Sequence, residues 1–157
     1  MKSPAQLAHQ FREVIFSGTW IANTNYKHQL ENLDWKLAVA KIDSFNTVAA
    51  LTFHINYYVA GLVNVFEGGT LDIKDKYSFD CPDILTQQDW EKLLNKFFTD
   101  AERFAYLVEK MSPEKLDEIF VNEKYGTYQR NIEAIIEHAY YHLGQIVLIK
   151  KMAGRSE

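Results

Sequence analysis

The strongest constraint on this chain is the spacing of its apolar residues, which return every third or fourth position across four segments and show no alternating, strand-like pattern. That spacing gathers them on one side of an α-helix, whereas a strand needs a period of two. The first segment runs from about Pro4 to Asn23, with Ser3 as N-cap, Pro4 at the first helical position, and Leu7, Phe11, Ile15, Gly18 and Ala22 along one side. The second begins after Ser44 and stops near Gly68 and Gly69, burying Val48, Leu51, Ile55, Val59, Leu62 and Phe66.

The third starts at Thr86, where Thr86 and Asp89 form a capping box with aspartate in place of glutamate, and ends at Ser112 and Pro113. The last follows Tyr125, Gly126 and Thr127 and carries Ile132, Ile135, Ile136, Ala139, Leu143, Ile146 and Val147 up to Gly154. Four amphipathic helices without a strand pattern predict an all-α fold, a four-helix bundle. Between them, residues 24–43 hold enough apolar side chains (Leu30, Leu33, Trp35, Leu37) to pack as a structured connection, while residues 70–85 are rich in aspartate and lysine and read as an exposed loop.

A length of 157 residues with 47% hydrophobic and 24% charged residues fits one globular domain, residues 1–157, with a core that needs no disulfide. The sole cysteine, Cys81, excludes an internal disulfide and agrees with a reducing compartment. No uninterrupted apolar stretch approaches the length of a membrane span, and the first residues lack the apolar core of a signal peptide, so a cytoplasmic location away from membranes is expected. A net charge of −4, with one basic cluster at Lys150, Lys151 and Arg155, argues against nucleic acid as a partner.

Chemistry concentrates on histidine. With Ile132 at zero on a helical wheel, His138 and His142 fall at about 240° and 280°, at one edge of the core stripe. Four residues apart, they stand on neighbouring turns, and two imidazoles so placed reach one ion. On the second helix, with Val48 at zero, His54 also falls at about 240°. If the two helices are neighbours, His54, His138 and His142 converge as three ligands of one divalent metal at the mouth of the bundle, with further positions open to water or substrate. The competing readings are an ordinary packed or surface pair for His138 and His142, and a core histidine at position 54 bonded to Tyr57 or Tyr58.

Gln145 falls on the histidine side, at about 220°, placed to orient a ligand or a bound water. Other chemistry is absent: no histidine has a glutamate three residues before it, His-Glu-x-x-His is missing, and the Gly68, Gly69, Thr70 run lacks the lysine of a phosphate loop. Glu133 and Glu137 occupy the outward face, Cys81 beside Pro82 reads as an inert loop thiol, and His9 and His28 have no partner at ligand spacing and read as solvated.

The run His138, Ala139, Tyr140, Tyr141, His142, Leu143, Gly144, Gln145 resembles the last-helix signature of the DinB/YfiT-like superfamily, two histidines four apart followed by a Gly-Gln step. Leu51, Thr52, Phe53, His54 resembles that family's second-helix histidine, and Tyr125, Gly126, Thr127, Tyr128 its lead into the last helix. The resemblance implies a four-helix bundle, commonly a homodimer, in which the three histidines bind a divalent metal ion, often nickel or zinc. It implies a small-molecule substrate, since characterised relatives include thiol transferases using low-molecular-weight thiols and a maleylpyruvate isomerase. Where many relatives have arginine after the last histidine, this chain has Leu143. A metal-dependent transferase or hydrolase, a non-catalytic metal- or ligand-binding stress protein, and a purely structural bundle are the three functional readings.

Overall fold

The computed structural model describes residues 2–154, so Arg155 of the expected basic cluster lies outside them. Helix α1 (Pro4–Arg12) opens on a full capping box: the Gln6 amide donates to Ser3 Oγ at 3.2 Å, and the Ser3 amide donates to Gln6 Oε1 at 2.8 Å. The helix widens into a single π-helical stretch, Glu13–Ser17, and stops there, short of the expected Asn23. Gly18 is extended, and a Cβ at that position would lie 2.6 Å from Glu13 Cβ, so the close return of the chain requires glycine. The apolar spacing that continues through Ala22 is therefore not helical, and Trp20 and Ile21 stand in solvent at 91% and 67% exposure.

The connection that follows is structured, as its composition predicts. It forms two short helices, α2 (Tyr26–Leu30) and α3 (Trp35–Ala38), capped by Asn25 and Asp34. Buried Tyr26 packs against Phe97 with ring centroids 5.4 Å apart and donates its hydroxyl to the Ala139 carbonyl at 2.8 Å, tying α2 to two long helices.

Helix α4 (Val48–Phe66) begins where its apolar stripe does, three residues after the start expected behind Ser44, because Thr47 supplies the cap, accepting from the Ala50 amide. It ends before Gly68, which takes the left-handed φ of +92° that closes the helix. Thr52, His54, Asn56 and Asn64 interrupt its apolar run, as expected, yet by length and mean hydropathy the 19-residue helix is apolar enough to cross a membrane, and 56% of its 18-residue apolar window is buried inside the protein. Helix α5 (Gln87–Glu109) starts at the expected Thr86 cap, although Asp89 reaches back to the Leu85 amide instead of the cap's own. Ser112 and Pro113 do not terminate it; they cap and open a separate short helix, α6 (Pro113–Asp117). Helix α7 (Tyr128–Ala153), capped by Thr127, runs to Gly154 as the periodicity requires.

The fold is all-α: among the described residues there are seven α-helices, one isolated β-bridge between Ile119 and Thr127, and no strand. The long segments meet in a ring in which α1 packs on α5, α5 on α4, α4 on α7 and α7 on α1. Around that ring a contiguous core gathers Phe11, Ile55, Trp90, Phe97, Phe104 and Ile132. Burial of apolar surface, aliphatic and aromatic, is the main stabilising term.

Candidate metal centre

The pairing of α4 with α7 satisfies the condition on which the histidine reading depended. His54 Nε2 lies 3.3 Å from His138 Nε2, and His142 Nε2 lies 2.8 Å from the same atom. Ligand atoms of all three fall within 4.8 Å of one another, and no cysteine, aspartate or glutamate among the described residues joins them. His54 and His142 are buried, at 7% and 6% exposure, so the cluster sits deeper than the mouth at which the wheels placed it, with His138 alone half-buried.

The other ring nitrogens decide which atoms face the centre. His54 Nδ1 donates to the Ser78 carbonyl at 3.2 Å, since a carbonyl can only accept, and His142 Nδ1 donates to Gln145 Oε1 at 2.6 Å. Both rings therefore hold their proton at Nδ1 and turn an unprotonated Nε2 toward His138. His138 Nε2 carries at most one proton and can satisfy only one of these two lone pairs. A cation accepts all three nitrogens together. Tetrahedral zinc with Zn–N bonds near 2.05 Å needs N···N separations of about 3.3 Å, which the His54–His138 pair meets at 3.3 Å and the His138–His142 pair falls short of at 2.8 Å.

Electrostatics keeps the rings in the ligand form. Burial is the main cause that lowers the pKa of each, and charge repulsion among the rings adds to it for His54 and His138. His138 is pushed down to about 4, whereas the Ser78 and Gln145 hydrogen bonds partly offset the effect at His54 and His142. Neutral imidazole is the species that binds metal.

The wheel placed Gln145 correctly beside the site, and its role is to orient His142. Neither tyrosine bonds to His54: Tyr57 hydrogen-bonds to Lys74 backbone and Tyr58 to Asp75, while the Tyr58 ring packs edge-on against His54 with centroids 5.1 Å apart. Ser78 and Phe79 escaped sequence reasoning. Phe79 stacks on His54 at 4.0 Å, and both residues sit in the loop that reads only as charged and exposed. No spacing rule ties a loop carbonyl to a histidine 24 positions away.

The remaining candidates stay apart from the cluster. Glu137 pairs with Arg130 at 3.1 Å, Glu133 lies near Lys2 and Gln129, and exposed His9 and His28 approach Glu13 and Thr24. The Cys81 thiol is pushed up to about 11, first by burial and then by Asp83. Its thiolate fraction at pH 8 is then about 100-fold below that of an ordinary thiol, so alkylation by iodoacetamide is expected to be slower than in the urea-unfolded chain by a similar factor. Equal rates in the folded and unfolded chain would show the thiol to be free.

Beside His138 opens a cleft of about 370 Å³, walled by Tyr58, Leu62, Phe120, Tyr125 and Ile135. A partly aromatic cleft reaching a three-nitrogen cluster is an open site of the kind used to admit a small molecule, in contrast to a closed structural metal site.

A family model described as the DinB superfamily covers residues 20–146. No curated protein and no solved structure matches the chain.

Proposed function

The chain belongs to the DinB superfamily, and from that premise we propose that it is a metal-dependent enzyme of the transferase or hydrolase type, acting on a small molecule at a divalent ion held by His54, His138 and His142. The observation that carries the proposal is the convergence of three Nε2 atoms whose partner nitrogens are tied down at His54 and His142. A divalent ion bound there supplies Lewis-acid activation of a thiol or water as nucleophile. Nickel or zinc suits a set of imidazole ligands.

The protein's own groups prepare that chemistry. Ser78 and Gln145 fix the ring orientations of His54 and His142, so two of the three nitrogens are aimed before any ion arrives. Phe79, stacked over His54, shields that ring from water. The cleft beside His138 supplies a route for substrate and an apolar wall to hold it. Leu143 is buried in the core at 1% exposure, so the position after the last histidine contributes no charge to the site. Substrate recognition must come from the cleft instead.

Two measurements test the reading. Mass spectrometry of protein purified without an affinity tag should find close to one nickel or zinc per chain. A panel of thiol-transfer and hydrolysis reactions with the loaded protein should then reveal turnover. Metal without turnover across a broad panel would leave a non-catalytic metal-binding protein, and no uptake of either ion would remove the centre altogether.

A further inference from the structure

The cleft beside His138 has a one-sided charge. Among its lining residues, Asp75 is the one carboxylate, and apart from Asn131 the rest are apolar or aromatic. Two of the donors at its wall are already engaged. Tyr58 donates its hydroxyl to Asp75 Oδ1 at 2.9 Å, and Asn131 Nδ2 donates to the backbone carbonyls of Tyr125 and Thr127. Of the neighbouring lysines, Lys76 lies over the Tyr77 ring and Lys124 over the Tyr125 ring, each at 4.6 Å, and Lys74 is not part of the cleft lining. A carboxylate or phosphate group entering the cleft would lose its water beside the like charge of Asp75, which is costly for an anion.

A cation meets the opposite situation. Among the described residues Asp75 Oδ2 has no hydrogen-bond partner, and Tyr58 and Tyr125 line the same cleft. Carboxylate and aromatic faces together are the recognition chemistry of ammonium groups. We propose that the substrate of this protein carries a cationic nitrogen, a protonated amine or quaternary ammonium, seated at Asp75 between Tyr58 and Tyr125, with an apolar body lying along Leu62, Phe120 and Ile135 toward His138. The proposal rests on the reading that this cleft serves the three-histidine centre. It makes Asp75 a specificity determinant without making it a ligand, since the carboxylate is not among the groups that could hold the ion.

Two probes with the same phenylethyl body and opposite charge decide the matter: trimethyl(2-phenylethyl)ammonium, which cannot coordinate a metal, and 3-phenylpropanoate. Each is titrated calorimetrically into zinc-free and zinc-loaded protein, for the wild type and for Asp75→Asn, which preserves an acceptor for Tyr58. In the zinc-free wild type the ammonium probe should bind at least about tenfold tighter than the carboxylate, and Asp75→Asn should weaken it by about tenfold. Equal binding, tighter carboxylate binding, no binding of either probe, or an ammonium affinity unchanged in Asp75→Asn would each overturn the proposal. Failure of the metal centre would appear separately, as absent zinc uptake in the wild type, because the charge preference is read without zinc.

Discussion

His138→Ala is expected to abolish stoichiometric metal binding while leaving the helical content intact. His138 is the hub of the cluster, with Nε2 3.3 Å from that of His54 and 2.8 Å from that of His142, so its removal leaves two nitrogens and no shared centre. Loss of an outer partner of a metal ligand lowers affinity by about 10–100-fold, and loss of a ligand itself should cost at least about 100-fold. The fold should tolerate the change, because the ring is half-buried on α7 and alanine is the better helix former. Gln145→Ala supplies the graded comparison: it frees His142 Nδ1 without touching an Nε2 atom and should show the smaller loss. Metal content by mass spectrometry, with circular dichroism for the fold, checks both. Full retention of metal in His138→Ala would refute the centre.

The largest effect on stability is expected from Phe104→Ala. Phe104 is fully buried on α5, with its ring 4.5 Å from Phe11 of α1 and 5.5 Å from Phe66 of α4, so one side chain joins three of the four long segments. Truncation removes the transfer energy of the ring and leaves a cavity that three rigid helices cannot close, a loss of about 3–5 kcal/mol. Tyr106, two positions along the same helix and 45% exposed, is the internal comparison, and its replacement by alanine should cost less than about 1 kcal/mol. Urea unfolding of the metal-free protein measures both. Equal losses for the two variants would show that the Phe11, Phe66 and Phe104 contact does not organise the core.

Much of the fold was legible because an amphipathic helix declares itself within a few turns. The apolar stripes of α4, α5 and α7 lie in the core, and the Thr86 start and Gly154 stop fall where capping chemistry puts them. The reading failed where two local signals coincide. Apolar spacing carries on past Ser17, yet the chain leaves the helix there because Gly18 returns against Glu13. Ser112 and Pro113 suit a helix start as well as a stop, and here they begin α6.

The candidate site divides along the same line. That His138 and His142 share a face, and that His54 bears the same relation to its own core, follows from 3.6 residues per turn and needs no coordinates. The DinB resemblance follows from the same short runs and is matched by the family model over residues 20–146. Tertiary structure alone decided that α4 lies against α7, that the three rings meet at depth, and that residues 70–85 fold over α4 to place the Ser78 carbonyl, Phe79 and Asp75 around them. The reason is physical: periodicity is a local property of the backbone, whereas the partner of a helix face or of a loop carbonyl is set by how whole elements pack, through contacts between residues far apart in the chain.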